Sequence, residues 1–307
     1  MSAPALVGGP INDAVQHACA IEAPRVRPEP ATVSLLPVVA AEPVRHSWYP
    51  SSPCGSGCLD SPTARAGRVL IIVRVIRLLV VAAVTIVVGV IVIPLPRIVR
   101  RAFLRRASSE MLHAIGIRIL VEDHRPFGSR ARGLIVANHV SYLDILAIAV
   151  VHPARFVAKS DVTAIPVVST LARRLGVIFI DRGSLRTLPA VLDTARAGLE
   201  EDSSVAVFPE GTTWCGRAGG GFRPAFFQSA LDAGVPILPI GVRFAIDGTT
   251  TAAPGFFGED TPVDTLRRVL ALREVVVHVR LHEPQMPHGD RRTLAARCEA
   301  LIHGTGC

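Results

Sequence analysis

The longest apolar stretch of the chain lies in its first third. Residues 78–96 run for 19 positions without a charge, and residues 69–76 extend the apolar character with only Arg74 interrupting. An uncharged run of this length predicts a membrane-embedded helix. Because arginines flank both ends of the run, a comparison of flanking charges gives no orientation. A re-entrant or one-leaflet anchor fits this pattern as well as a membrane span does.

A second helical pattern follows the Pro94-Leu95-Pro96 break. Apolar residues recur there at roughly helical spacing with arginines between them: Ile98, Val99, Leu104, Met111, Leu112 and Ile115. An interfacial helix on anionic lipid has this pattern. An amphipathic helix packed on the next domain has it too, and both interpretations stay open.

Short apolar runs alternate with helical patterns from residue 133 onward. The predicted strands are 133–137, 177–180, 204–208, 237–242 and 275–281, and the predicted helices are 142–151, 188–200 and 225–233. This alternation predicts an α/β domain with a mixed, largely parallel sheet flanked by helices. Reactive groups in such sheets gather just past the carboxyl ends of the strands.

The first part of the chain differs in composition. Residues 1–64 hold ten of the 24 prolines, show no sustained period, and lack the basic-then-apolar start of a secretion signal. We therefore predict a disordered tail over 1–64, a membrane-anchoring helical region over 65–117 and an α/β domain over 118–307.

The basic residues outnumber the acidic ones by 33 to 25, and Lys159 is the only lysine. Arginine-rich chains suit anionic lipid headgroups, acidic substrates or nucleic acid, and they also arise from a GC-rich genome. No nucleic-acid partner is expected, because the arginines flank a membrane segment and no aromatic-basic RNA-binding pattern occurs.

The six cysteines are scattered along the chain: Cys19, Cys54, Cys58, Cys215, Cys298 and Cys307. They predict neither a disulfide framework nor a four-ligand zinc site. Only Cys54 and Cys58 have a suggestive spacing, and we interpret them as loop thiols with no metal.

Three predicted strands end in unusual polar residues: 138–144, 181–183 and 209–212. We expect these exits to converge on one sheet edge. His139 can take the proton of an acceptor hydroxyl as that hydroxyl attacks a thioester, and Asp144 can fix its tautomer. The alternatives are a capping box between Ser141 and Asp144 and an ordinary surface role for His139.

Four blocks follow one another in order: Asn138-His139-x4-Asp144, residues 176–183 (GVIFIDRG), residues 208–212 (FPEGT) and residues 235–239 (VPILP). Behind a membrane helix, this series resembles the glycerolipid acyltransferase family of lysophosphatidate acyltransferase type. The resemblance covers roughly residues 130 to 250. It implies acyl transfer from acyl-CoA or acyl carrier protein to a lysolipid, with His139 and Asp144 as the catalytic pair and no cofactor or metal.

The resemblance further implies that Arg182, Glu210 and Gly211 help bind the acceptor. The predicted substrate-binding residues are Asn138, Ser141, Arg182, Glu210, Gly211 and Thr212. Glu210 is expected to accept from a substrate hydroxyl or to hold Arg182, and Lys159 resembles a family position near the site.

One position departs from the pattern of the phosphatidate-forming members. Their third block commonly continues Gly-Thr-Arg, whereas this chain has Thr213. Arg217 or Arg223 can replace the missing arginine, or the acceptor is another lysolipid such as an ornithine lipid precursor.

The partners implied by the resemblance are membrane lipids, the acyl donor and the lysolipid acceptor. The expected location is the bacterial inner membrane with the site on the cytoplasmic face. Two rival functions stay open, a thioesterase that uses water at the same base and a non-catalytic membrane lipid-binding protein.

Overall fold

The structure, a computed structural model, describes residues 49–59, 65–92, 94–126, 131–160, 172, 174–181, 185–201, 203–258 and 260–304. The predicted tail over 1–64 lies outside the described residues except for 49–59. That short segment has an ordered conformation, with a 3-10 turn at Ser56–Cys58 and packing of Cys54, Cys58 and Leu59 against Phe257. It differs from the predicted tail because these side chains contact the α/β domain.

The helices are α1 (Arg68–Val92), α2 (Arg97–Ala114), α3 (Leu143–Val151), α4 (Leu188–Glu200), α5 (Ala225–Ala233), α6 (Pro262–Leu270) and α7 (Arg291–His303). The strands are β1 (Ile117–Asp123), β2 (Leu134–Ala137), β3 (Arg155–Lys159), β4 (Ile178–Ile180), β5 (Val205–Val207), β6 (Ile237–Ile246), β7 (Thr249–Thr250) and β8 (Val275–Leu281). A further 3-10 turn spans Leu185–Thr187.

The strands form one sheet in the order β1-β8-β6-β2-β5-β3-β4, with β7 paired to the end of β6. All neighbours are parallel except β6 with β8 and β6 with β7. The predicted α/β fold with a mixed, largely parallel sheet is therefore confirmed. Strands β2 and β5, at its centre, are buried along their whole length, as expected for parallel strands covered on both faces.

Side chains that alternate along the strands feed two cores. In β2, Ile135 and Ala137 join the core under α2, α3 and α6, while Leu134 and Val136 join the core under α4, α5 and α7. This period of two is what a strand dictates when helices cover both faces of its sheet. The result is a three-layer arrangement that fixes the strand ends carrying the polar blocks.

Helices α1 and α2 form a hairpin around the proline break. α1 is long and apolar enough to cross a membrane by length and composition, and only 11% of its most apolar window is buried. α2 buries Ser108, Leu112 and Ala114 in its second half, whereas Ile98 near its start is exposed. The second half of α2 therefore packs on the domain, as one of the two interpretations expects.

Arg74, the one charge inside the apolar run, points into the α/β domain. Its guanidinium is buried and donates to the backbone carbonyls of Leu270, Leu272 and Arg273 at the carboxyl end of α6. Leu270 is the last residue of α6, so its carbonyl has no partner within the helix, and Leu272 and Arg273 lie just beyond it. The arginine therefore fastens α1 to the domain.

Candidate active site

The central strands bring two of the polar blocks together. Strands β2 and β5 are parallel neighbours, so His139 after β2 and Glu210 after β5 emerge at the same sheet edge. Asp181 follows β4, which is separated from β5 by β3. Arg182 lies outside the described residues, and its predicted role stays a prediction. Lys159 is the last residue of β3.

His139 and Asp144 form the predicted pair. Nδ1 of the imidazole lies 2.9 Å from Oδ2 of Asp144, whose side chain is completely buried. The same oxygen accepts from the backbone N–H groups of Val140, at 2.7 Å, and Ser141, at 2.9 Å. Asp144 thus satisfies donors at the start of α3, as a helix cap does, and also orients the imidazole. The Ser141 hydroxyl accepts from the N–H of Leu143 rather than from that of Asp144, so the reciprocal capping box is not formed. The catalytic role of the pair stays a prediction.

The imidazole is held flat against an aromatic ring. Its centroid lies 4.0 Å from that of Phe208, with 15° between the ring planes. The His139 side chain keeps 15% of its surface exposed. With Nδ1 bound to Asp144, Nε2 is the nitrogen left to receive a proton. The arrangement can therefore act as a general base.

Glu210 lies beneath this pair, and its side chain is inaccessible to solvent. Its Oε2 accepts from the N–H of His139 at 2.6 Å and its Oε1 from the N–H of Gly220 at 2.9 Å. Burial raises the pKa of Glu210 to about 8, outweighing those two hydrogen bonds. In this structure the Glu210 carboxyl joins the two loops, and its expected contact with a substrate hydroxyl or with Arg182 stays a prediction.

Two other predicted substrate-binding residues are also engaged by backbone. Asn138 donates from Nδ2 to the carbonyl of Val242 at 2.8 Å and accepts the N–H of Val242 at 2.7 Å. Ser141 is fully buried, and its hydroxyl oxygen accepts from the N–H of Leu143 at 3.1 Å. Asn138 thereby joins the end of β2 to the middle of β6, and Ser141 contacts the first residue of α3.

The loop after Glu210 passes close to the imidazole. Gly211 has a φ of +77°, a conformation open to glycine, and Pro50 packs against it. Thr212 is half-buried. Thr213 donates its hydroxyl to the carbonyl of Phe256, and the N–H of Trp214 donates to the carbonyl of His139 at 2.7 Å. Thr213 is therefore part of the loop framework.

A cavity of about 400 Å³ adjoins this loop. Its lining includes Glu210 and Trp214 together with basic side chains: Arg217, Arg243, His278, Arg280, His282 and His303. Arg217 also donates to the carbonyl of Cys58 at 3.4 Å. Of the two arginines considered as replacements at the third block, Arg217 lines this cavity.

An oxyanion developing on a thioester needs donors beside the imidazole. The N–H groups of His139, Val140 and Ser141 are bound to carboxylates. In this structure these three groups are therefore not the donors that would stabilise the oxyanion.

The sequence did not predict that three cysteines lie together. The Sγ atoms of Cys54, Cys58 and Cys215 all lie within 4.8 Å of one another. Cys215 lies more than 150 residues after the other two in the sequence, so no rule based on spacing could group the three cysteines. The available signal was its place directly after the third block.

Comparison with known proteins identifies the family of this chain. The sequence profile of the family described as Acyltransferase matches residues 118–243. A lyso-ornithine lipid O-acyltransferase of Pseudomonas aeruginosa is 34% identical over 185 residues, which cover 58% of this chain and 71% of that protein. A 1-acyl-sn-glycerol-3-phosphate acyltransferase of Neisseria meningitidis is 33% identical over 161 residues, covering 52% of this chain.

The chain spans 63% of the length of that meningococcal relative and of its counterpart from Neisseria gonorrhoeae. Among solved structures, the crystal structure of a 1-acyl-sn-glycerophosphate acyltransferase from Thermotoga maritima has a TM-score of 0.51 and 21% identity. It is matched over 75% of this chain and 95% of its own, and this likeness supports the fold. The similarity to the Pseudomonas relative covers more than two thirds of that protein. The chain therefore belongs to the glycerolipid acyltransferase family.

Proposed function

We propose that this protein transfers a fatty acyl group from acyl-CoA or acyl carrier protein to the hydroxyl of a lysophospholipid. The observation that carries the proposal is the His139–Asp144 pair, held 2.9 Å apart at the carboxyl edge of the sheet with the imidazole partly exposed. A neutral imidazole whose other nitrogen is bound to a buried carboxylate is suited to take a proton.

In the proposed reaction, Nε2 of His139 takes the proton of the acceptor hydroxyl as its oxygen attacks the thioester carbonyl carbon. The tetrahedral intermediate collapses with cleavage of the C–S bond, and the thiolate recovers the proton from the imidazolium. Asp144 steadies the imidazolium while it exists. The reaction uses no cofactor, because a thioester is already an activated acyl donor.

The first candidate acceptor is 1-acyl-glycerol-3-phosphate, which would yield phosphatidate for phospholipid biosynthesis. Arg182 would bind its phosphate, as the family resemblance implies, and Arg217 lines the neighbouring cavity. The second candidate is a lyso-ornithine lipid, because Thr213 stands where phosphatidate-forming members commonly carry arginine. Relatives with both names support both candidates.

The proposed location is the bacterial inner membrane, with the site on the cytoplasmic face where acyl donors are made. The exposed apolar side chains of α1, among them Ile72, Ile86 and Ile91, support anchoring in lipid. We assign α1 to one leaflet, since the segments before and after it both contact the α/β domain.

The test is acyl transfer by the purified full chain from labelled acyl-CoA or acyl carrier protein to lysophosphatidate and to lyso-ornithine lipid. We expect His139→Ala and Asp144→Asn each to lower kcat by about 100-fold or more, while the exposed control His288→Ala retains activity.

Each result identifies one acceptor or one rival. Product from only one lysolipid assigns the acceptor. Acyl-donor hydrolysis that needs His139 but no lipid would support a thioesterase. Turnover that persists in His139→Ala, or no His139-dependent product from any donor and acceptor, would contradict the proposal.

A further inference from the structure

Three cysteines from two distant parts of the chain meet beside the loop that carries Glu210. Cys54 and Cys58 belong to the ordered segment before α1, and Cys215 follows the third block. Their Sγ atoms all lie within 4.8 Å of one another. Three thiolates about 2.3 Å from a tetrahedral zinc ion are separated by about 3.8 Å, so small side-chain adjustments suffice for coordination.

The backbone is shaped around these sulfur atoms. The 3-10 turn Ser56–Cys58 is closed by a 2.9 Å bond from the N–H of Cys58 to the carbonyl of Gly55, which returns Cys58 to the side of Cys54. Gly216 has a φ of +79°, so the chain turns immediately after Cys215. This backbone holds the sulfur atoms together, as a metal-binding turn would.

Backbone N–H groups are directed at the sulfur atoms. The N–H of Cys215 donates to Sγ of Cys54 at 3.3 Å. The N–H groups of Ala218 and Arg217 also donate to the sulfur of Cys215. Donors of this kind hold the sulfur atoms of a metal site in position.

Apolar side chains surround much of the cluster. Cys215 is buried, and Ala252, Phe257 and Leu59 pack around the three sulfur atoms. Sulfur donors select soft or borderline ions such as zinc over magnesium or calcium. A disulfide would use two of the three cysteines and would leave the third without a function in this cluster.

We propose that Cys54, Cys58 and Cys215 coordinate one zinc ion that fastens the segment before α1 to the active-site loop. On binding, the thiol protons pass to solvent and each sulfur forms a bond to the metal. Solvent or another donor completes the tetrahedron. The ion secures Pro50 against Gly211 and holds the loop whose Trp214 N–H contacts the carbonyl of His139.

The experiment measures metal in the full chain purified in detergent without chelators. We expect about one zinc per chain by elemental analysis. Cys54→Ala, Cys58→Ala and Cys215→Ala should each lose most of the zinc. Cys298→Ala is the matched control, because Cys298 is buried in the other core under α7 and should retain it.

A second measurement keeps the test independent of how the variants fold. Exchange of the unsubstituted protein with CoCl2 should give the thiolate-to-cobalt charge-transfer and d–d absorption of a tetrahedral site. The proposal is overturned if reduced protein supplied with ZnCl2 binds none, if the three variants retain zinc, or if cobalt gives no thiolate absorption. A disulfide among the three cysteines in the protein as purified, detected by mass spectrometry, would overturn it as well.

Discussion

At the residue scale, the two carboxyl groups around His139 differ in what they contact. Asp144 is reached by one imidazole nitrogen and two backbone N–H groups, all on the same oxygen. Glu210 receives only two backbone N–H groups and lies near Nε2 of His303 at 3.5 Å. Since burial disfavours the charged form, the pKa of Glu210 rises despite its two hydrogen bonds.

Glu210 should therefore make stability depend on pH. Its pKa is raised from 4.5 to about 8 by burial, so the folded chain holds a proton that the unfolded chain releases between these values. The stabilisation is fully present below the lower value and is lost as pH rises through the upper one. We expect the unfolding temperature to fall across this range and to fall less in Glu210→Gln, measured by thermal unfolding in detergent.

The matched control is Glu283→Gln, at an exposed position, which should keep the slope of the unsubstituted protein. His152 works in the opposite direction, because burial lowers its pKa to about 4 and favours folding at higher pH. Both variants retain His152, so subtracting the slope of one variant from that of the other removes the contribution of His152. Equal slopes in the two variants would contradict the assignment of the proton to Glu210.

The sequence predicted the pairing of His139 with Asp144, because five positions along a strand-to-helix connection fix their distance. It did not predict the role of Glu210, since that depends on which strand β2 has as its neighbour. The reciprocal bonds of Asn138 with Val242 have the same origin. Polar residues at a sheet edge can bind substrate or bind neighbouring backbone, and only the three-dimensional pairing distinguishes these roles.

At the element scale, α1 is both an apolar helix and a packed one. Arg74 should stabilise the contact between α1 and α6, since its removal leaves buried carbonyls of Leu270 and Leu272 without their donor. We expect Arg74→Leu to lower the free energy of unfolding by about 1–3 kcal/mol. Denaturant unfolding in detergent, followed by circular dichroism, measures this change.

Arg77→Leu is the control, because Arg77 lies three residues after Arg74 in the same helix. Arg77 is exposed and forms a 3.7 Å ion pair with Glu110, which contributes about 1 kcal/mol or less. A loss in Arg77→Leu as large as that in Arg74→Leu would show that the buried contacts add nothing specific.

Several elements were absent from the sequence prediction, and their residues explain why. β1 lies at the sheet edge with four of its seven residues exposed, so its apolar run is short and mixed. α6 is amphipathic but only nine residues long, and its start is marked by the capping box of Thr261 and Asp264. The sequence did predict β8, a largely buried strand, and α4, a helix with one apolar face. In both, the local pattern of apolar residues is sufficient to identify the element.

At the scale of the whole molecule, hydropathy could not separate a span from a one-leaflet anchor. The 25 residues of α1 extend for about 38 Å, enough to cross a hydrocarbon core of about 30 Å. Length therefore does not decide the question. The contacts of the segments that flank α1 favour the one-leaflet anchor, and the partners in those contacts lie far from α1 in the sequence.

Both flanks of α1 rest on the α/β domain. Before the helix, Sγ of Cys54 accepts the N–H of Cys215 in the active-site loop. After the helix, Arg97 donates to the carbonyl of Glu201 at 2.7 Å, just past α4. A helix that crossed the bilayer once would place its two flanks on opposite sides. A domain that stays on one side of the membrane cannot contact both flanks, so we expect α1 to enter and leave the membrane on the same face.

The prediction is that both ends of the chain lie on the cytoplasmic side. The full chain carrying one epitope tag at each terminus is expressed in a bacterial host, and spheroplasts are treated with protease. Both tags should survive in intact spheroplasts and both should be digested after lysis, with periplasmic and cytoplasmic marker proteins reporting integrity. Digestion of the amino-terminal tag alone in intact spheroplasts would show that α1 spans the bilayer. It would also separate the segment 49–59 from the active-site loop that it contacts here.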